Sequence, residues 1–442
     1  MESSSSKLAT GFSSPRPLIA WALCDWANSA FSTINITLIA LYLSQHVFPA
    51  ATWGNLSGVM YPLGLGLATL FAAVASPIAG ALADAHASKS RWLAETTLLG
   101  SAAAILLGVI PLESPLAIWA CYVVLVFCFE LAYGFYSAFL PEIAPAEAMN
   151  RVSGWGFVCG YVGGGLVLLI AMLIIYYGGY DPVKNPDPWP LRAGIVLLGI
   201  WWSVFTIPAM IWLRDSATTK SDPLPWRAAV RQAVGQVMHT LRNLSQFRIL
   251  AIFLAGYLFY NDAIQAVISQ ASLFAKADLG FTAVELIQLV LLIQFLAVPG
   301  AILFGWLADR VSPWRTLMLC LALWALLIAG AWFVREKSHF WIMGVALAFI
   351  MGGTQAVSRG IMGLLTPRQR AAEFFGFMSL SSKAAAFLGP GLFAAVFYVT
   401  GEYRPAILSL LFLLLIGWAI ASRVDVAAGR KAALAAEESV MK

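Results

Sequence analysis

Long apolar runs recur along the whole chain, twelve of them, separated by more polar stretches. A helix needs about 20 consecutive apolar residues to cross the hydrocarbon core of a bilayer. The pattern predicts spans 1 to 12 near residues 18–42, 56–83, 92–110, 116–140, 152–177, 191–213, 247–274, 283–308, 317–334, 340–365, 373–399 and 406–422. The runs are continuous and do not alternate with polar residues, which excludes a membrane β-barrel. The expectation is an all-α membrane protein of two six-helix bundles.

Composition agrees. Hydrophobic residues make up 60% of the 442 and charged residues only 11%, against about 25% charged in a soluble domain. Mean hydropathy is +0.81. Too few polar side chains remain to coat a water-facing surface, so a soluble enzyme, a disordered chain and a collagen-like chain are excluded. The five cysteines sit inside apolar runs with no C-x-x-C pair, so they predict packing and neither disulfides nor a metal site.

The position of the charges sets orientation. With the N-terminus in the cytoplasm, nineteen of the 27 Lys and Arg fall on the cytoplasmic side, six on the other side, and Arg359 and Lys383 inside spans. That bias predicts cytoplasmic termini, and an even number of spans agrees. The N-terminal stretch is polar and Ser-rich and lacks the apolar core of a removable signal. The expected organisation is a disordered tail over 1–17, a bundle over 18–213, a cytoplasmic linker over 214–246, a second bundle over 247–422 and a cytoplasmic tail over 423–442. In the linker, Trp226, Val230, Val234, Met238 and Leu241 recur at helical spacing, with Arg227, Arg231 and Arg242 off that stripe. This predicts an amphipathic helix on the cytoplasmic leaflet or one that docks a partner.

The halves repeat each other. Gly80-Ala81-Leu82-Ala83-Asp84 follows span 2 and Gly305-Trp306-Leu307-Ala308-Asp309 follows span 8, each with basic residues behind it: Lys89 and Arg91, then Arg310 and Arg315. Spans 4 and 10 end at Pro141 and Pro367, and spans 5 and 11 carry Gly163-Gly164-Gly165 and Gly389-Pro390-Gly391. In span 1, Asp25, Asn28, Ser32 and Asn35 stand at the same steps as Asp262, Gln265, Ser269 and Ser272 in span 7. Those steps put four polar residues on one helical face. Asp25 lies closer to the start of its span than Asp262 does. For equal depth, span 7 must begin as a helix in the cytosol. Parallel six-span repeats are a transporter architecture.

The run Cys24-Asp25-Trp26-Ala27-Asn28-Ser29-Ala30-Phe31 resembles the D-W-A-N-S-A-F signature of a branch of the major facilitator superfamily related to the autophagy-linked vacuolar amino-acid effluxers. Three further segments extend the resemblance over both halves: Phe135 to Glu142 (FYSAFLPE), Arg151 to Gly156 (RVSGWG), and Ala372-Glu373-Phe374-Phe375-Gly376 with Lys383 and Leu388-Gly389-Pro390. It implies the major facilitator fold, with spans 1, 4, 7 and 10 lining a central cavity, and an amino acid as solute. The first turn departs from the superfamily pattern, with Ala85-His86-Ala87-Ser88 where a basic-rich run is usual.

Ionisable side chains inside a membrane cost about 2.5–3.5 kcal/mol each on insertion scales, so each asks for a reason. They are Asp25, Glu130, Asp262, Arg359 and Lys383, and four of the five fall on spans 1, 4, 7 and 10. A zwitterion offers an ammonium to Asp25 or Glu130 and a carboxylate to Arg359 or Lys383. Asn28, Ser32, Asn35 and Gln265 would add hydrogen bonds. A carboxylate in a low-dielectric cavity can exchange a proton near neutral pH, which nominates Asp25 and Glu130 for proton coupling. Each group also has a structural reading: Asp25 with Asn28 as a helix clamp, and Arg359 and Lys383 as counter-ions of Glu130 or Asp25. Asp84, Arg91, Asp309, Arg310 and Arg315 form the expected inner gate, and Glu95 and Glu373 are expected to be helix N-terminal charges.

The sequence has no G-x-x-x-x-G-K-[ST] loop, no G-x-S-x-G elbow and no H-E-x-x-H helix, so neither an ATP-driven pump nor an enzyme is nominated. The expectation is a proton-linked secondary transporter of a small organic solute, without cofactor or metal. It would act as a monomer in a bacterial-type inner (plasma) membrane, touching solute, protons and lipids and no nucleic acid. A lipid flippase or a non-transporting sensor of the same fold is the alternative.

Overall fold

The computed structural model describes residues 15–86, 88–181, 184–215, 226–242, 244–384 and 386–441; the expected tail over 1–17 lies almost wholly outside them. The described chain is helical, with one isolated bridge between Asp181 and Asn185. Eleven of the twelve predicted spans coincide with helices long and apolar enough to cross a membrane. The helix of span 1, Arg16–Ile34, falls short in mean hydropathy because Asp25, Asn28, Ser29, Ser32 and Thr33 ride on it. It runs on through π-helical turns at Asn35–Ile39 and Leu43–Val47.

Helix ends follow local chemistry. Span 7, Arg248–Leu279, stops at Gly280, whose φ of 67° suits glycine. Span 8 starts on a capping box in which Thr282 Oγ1 accepts from the Glu285 N–H and Glu285 accepts from the Thr282 N–H. Span 7 has 32 residues, about 48 Å at 1.5 Å per residue. It is therefore longer than the roughly 30 Å hydrocarbon core.

Span 11 differs from the continuous helix expected. It is Ala371–Ala384 followed by Leu388–Thr400, broken directly after Lys383. Pro390 supplies the reason: it lacks the N–H that a continuous helix would direct to residue 386, and its ring fits only a first turn. Within the expected C-terminal tail, Val426–Met441 is a helix packed under spans 7 and 10.

Spans 1, 5 and 6, spans 3, 4 and 6, and spans 2 and 4 pack into one bundle. Spans 7, 11 and 12, spans 8 and 10, and spans 9, 10 and 12 pack into the other. The bundles meet where span 2 crosses span 11 and span 5 crosses spans 8 and 10. The linker helix Trp226–Arg242 lies against span 2 and buries Ala229, Ala233, Val237 and Thr240. Val234, Met238 and Leu241 of its apolar stripe stay exposed. A face of mostly small residues thus binds the protein, Val230 of the predicted stripe packs against the core, and Val234, Met238 and Leu241 face outward.

Candidate functional site

The described ends of the chain, at Pro15 and Met441, and the linker helix lie on one face, the terminal face. There the repeated G-x-x-x-D turns do matching jobs. A Cβ on Gly80 would stand 2.2 Å from the Ala372 carbonyl oxygen, so only glycine lets span 2 approach span 11 this closely. One turn on, Asp84 accepts from the N–H groups of Ala372 (3.2 Å) and Glu373 (2.8 Å). In the other half a Cβ on Gly305 would lie 2.9 Å from the Asn150 carbonyl oxygen. Asp309 accepts from the N–H groups of Asn150 (3.1 Å) and Arg151 (2.9 Å), from Asn150 Nδ2 (2.9 Å) and from Arg151 Nε (3.2 Å). Each aspartate satisfies the unpaired first-turn N–H groups of a helix in the opposite bundle and meets its positive dipole end.

The expected basic gate partners are elsewhere. Arg91 pairs with Glu95 at 2.7 Å on an exposed helix face, Arg310 stacks on Trp306 at 5.3 Å, and Arg315 is exposed. The gate aspartates meet backbone N–H groups, which leave no side-chain signal in a sequence. Lys89 is the charged neighbour on span 3: it lies 3.9 Å from Asp84 and bonds Glu142. Glu373 is fully buried and holds Arg370, Gln236 (2.7 Å) and Thr240 (2.6 Å), which ties the linker helix to span 11.

Further in, Arg359 of span 10 enters the other bundle. Its Nη1 lies 3.0 Å from Asp25 Oδ2 and 3.1 Å from Tyr136 Oη. Its Nε donates to Ser153 Oγ at 3.1 Å and its Nη2 to the Ser153 carbonyl at 2.7 Å. The guanidinium lies 3.9 Å from the Phe157 ring centroid and 4.9 Å from that of Trp21. Tyr136 Oη also donates to Asp25 at 2.8 Å. Removing one partner of such a buried pair costs about 3–5 kcal/mol. Arg359 is six residues from the end of its helix at Leu365, about 9 Å deep. The pair therefore lies toward the terminal face. Tyr161 Oη donates to Gln355 Oε1 at 2.6 Å one turn deeper.

At mid-depth, Lys383 Nζ and Glu130 Oε1 lie 3.0 Å apart, again across the bundles. Lys383 is twelve residues into span 11, about 18 Å, close to half the core thickness. Unlike the Arg359 pair, this one is open: the Lys383 side chain is 30% exposed and that of Glu130 11%. Beyond it, on the side away from the terminal face, polar residues of spans 1 and 7 become exposed. Ser32 and Ile36 share the helix face of Asp25, yet both are exposed. Gln265, Ser269 and Ser272 share one exposed face of span 7. On the Glu130 face of span 4, Val123 and Phe127 join Val124, Ala68, Phe71 and Ala75 around an apolar cleft of about 430 Å³.

Three expected solute contacts lie elsewhere. Asn28 accepts from Trp202 Nε1 (2.8 Å) and Asn35 from Tyr122 Oη (3.2 Å), both buried inside the first bundle. Asp262 is buried and accepts from the Gly389 N–H at 2.6 Å, capping the second segment of broken span 11. The matching steps in spans 1 and 7 thus hold different partners. Tyr136, Ser153, Trp21 and Phe157 were missed because neutral polar and aromatic residues are common in spans and only Arg359 singles these out.

The model of a family described as "Vacuole effluxer Atg22 like" matches residues 47–434. A Bacillus subtilis protein described as an uncharacterised MFS-type transporter, YxiO, is 29% identical over 399 residues, covering 90% of this chain and 92% of that one. Autophagy-related protein 22 of Yarrowia lipolytica is 27% identical over 314 residues, 65% of this chain and 52% of its own length. The chain thus spans about half of such fungal relatives. Among solved structures, the E. coli fucose:proton symporter FucP aligns with TM-score 0.69 at 13% identity over 93% of this chain and 98% of its own. The proton:xylose symporter XylE aligns with TM-score 0.65 at 10% identity over 91% and 94%. Those likenesses establish the fold, that of the major facilitator superfamily, and with the matching family model they carry the conclusion that the chain belongs to the Atg22-like effluxer family of that superfamily.

Proposed function

We propose that the chain is a secondary active transporter of a small zwitterionic solute, an amino acid or a close relative, which works by alternating access and is driven by protons. In this reading twelve spans cross a bacterial-type plasma membrane and the terminal face is cytoplasmic, as the Lys and Arg bias requires. The observation that carries it is the Glu130–Lys383 pair, two opposite charges from opposite bundles, at mid-depth and partly exposed. A zwitterion can replace each partner of that pair with its own charge, ammonium to Glu130 and carboxylate to Lys383, and so link its binding to the separation of the bundles. A proton on Glu130 would release Lys383 in the same way. Ser32 and Gln265 face the opening above and supply hydrogen bonds, and Asp84 and Asp309 latch the cytoplasmic side.

The apolar cleft beside Glu130 favours a second reading, a lipid flippase with an acyl chain in the cleft. One experiment separates the two: a thermal-shift screen over amino acids and small peptides, then flux into proteoliposomes under an imposed pH gradient. The transporter reading predicts gradient-driven flux of a soluble solute, lost together with solute exchange in Glu130→Gln because Glu130 both pairs the ammonium and takes the proton. Gradient-driven flux that survives Glu130→Gln and Asp25→Asn refutes the coupling, and scrambling of labelled lipid with no soluble flux refutes the transporter.

A further inference from the structure

Every group that touches Arg359 in the hydrogen bonds and ring contacts above comes from the opposite bundle. Asp25 and Trp21 are on span 1, Tyr136 on span 4, and Ser153 and Phe157 on span 5. Without Arg359 the first bundle would hold a carboxylate, a phenol oxygen, a carbonyl oxygen and a hydroxyl, all aimed at one point between two aromatic walls. That is a receptor for a planar or compact organic cation: the carboxylate supplies charge, the carbonyl accepts a second N–H, and the ring faces attract a cation. Ser153 Oγ also donates to the Ala356 carbonyl at 2.7 Å, a second tie to span 10 that is lost when the bundles part.

Opening the terminal side must withdraw Arg359, because it belongs to the bundle that leaves. Asp25 is then left on a surface built for a cation. A proton would neutralise the carboxylate but would not use the Ser153 carbonyl or the ring walls. We propose that this pocket is an organic-cation site, filled by Arg359 when the terminal side is closed and by a guanidinium or ammonium group of the solute when it opens. The proposal rests on the transporter reading and sharpens it: Arg359 is a tethered competitor, and the solute carries a cationic nitrogen that reaches Asp25 on its way past the gate.

Arg359→Ala empties the pocket without altering its walls. In the full chain in lipid nanodiscs, about 10 mM methylguanidinium or methylammonium is expected to raise the melting temperature of Arg359→Ala by about 2 °C or more. Potassium at equal ionic strength should not, and neither wild type nor the double variant Asp25→Asn with Arg359→Ala should respond. No shift in Arg359→Ala, or the same shift in the double variant, overturns the proposal. If Arg359→Ala does not fold, the same reagents are applied to Asp309→Ala, in which the pocket is intact and the gate weakened. They should then lengthen the distance between spin labels on the two bundles, and an unchanged distance overturns the proposal. Cation binding without any solute flux would sink the transporter reading alone; flux without cation binding would sink the pocket alone.

Discussion

Asp309→Ala tests whether the repeated aspartates hold the bundles together on the terminal side. Asp309 is nearly buried, with 5% of its side chain exposed, and accepts four hydrogen bonds from Asn150 and Arg151 in the other bundle. A bond to a charged acceptor contributes about 1.5–3 kcal/mol, and loss of a helix N-terminal cap costs about 1 kcal/mol. Once the terminal side is open, water reaches the same N–H groups. The loss therefore falls mainly on the closed state, by about 2–3 kcal/mol. At about 1.4 kcal/mol per factor of ten, the closed-to-open ratio falls about 30- to 150-fold. Spin labels at Arg91 and Arg315, exposed at the starts of spans 3 and 9, report it as a growing long-distance population by pulsed electron resonance in nanodiscs. A distance distribution identical to that of wild type would refute the latch and leave Asp309 as a local helix cap.

Gly80→Val puts side-chain atoms where only 2.2 Å separate a Cβ from the Ala372 oxygen. Each bundle should fold, with unchanged circular dichroism, while solute flux falls by about tenfold or more because the closed state is excluded. Two further polar ties should differ sharply in weight. Glu373→Ala strands Arg370, Gln236 and Thr240 around a fully buried site and is expected to cost about 3 kcal/mol in denaturant unfolding. Arg430→Ala breaks only an exposed pair with Glu147 and should cost less than about 0.5 kcal/mol in the same assay.

The apolar runs made the spans legible, because nothing else in a chain needs 20 apolar residues in a row. The repeated Gly and Asp were legible as a pair of turns, and the structure gives each a target: a carbonyl oxygen for the glycine and two N–H groups for the aspartate. Arg91, Arg310 and Arg315 were assigned to that gate because a carboxylate suggests a cation, while a helix N-terminus competes for it without any residue type to mark it. Asp25 and Arg359 were visible as charges but not as partners, since 334 positions separate them and Glu130 was an equal candidate. The break in span 11 has its cue in Pro390, six positions beyond Ala384, the last residue of the first segment. Asn28 and Asn35 repeat the spacing of the second half yet turn to Trp202 and Tyr122, because helical spacing fixes a shared face and not which neighbour that face meets.

The claim on which the rest depends is that the exposed polar face of span 7 borders water on one side of the membrane at a time. Ser269→Cys, in a chain whose five native cysteines are replaced, can be titrated with a membrane-impermeant thiol reagent in vesicles of defined orientation. With the terminal side closed, modification is expected only from the far side, and adding Asp309→Ala should open it to reagent from the terminal side. Modification from neither side, or from both at once in the otherwise unmutated chain, would contradict two bundles that alternate around the Glu130–Lys383 level.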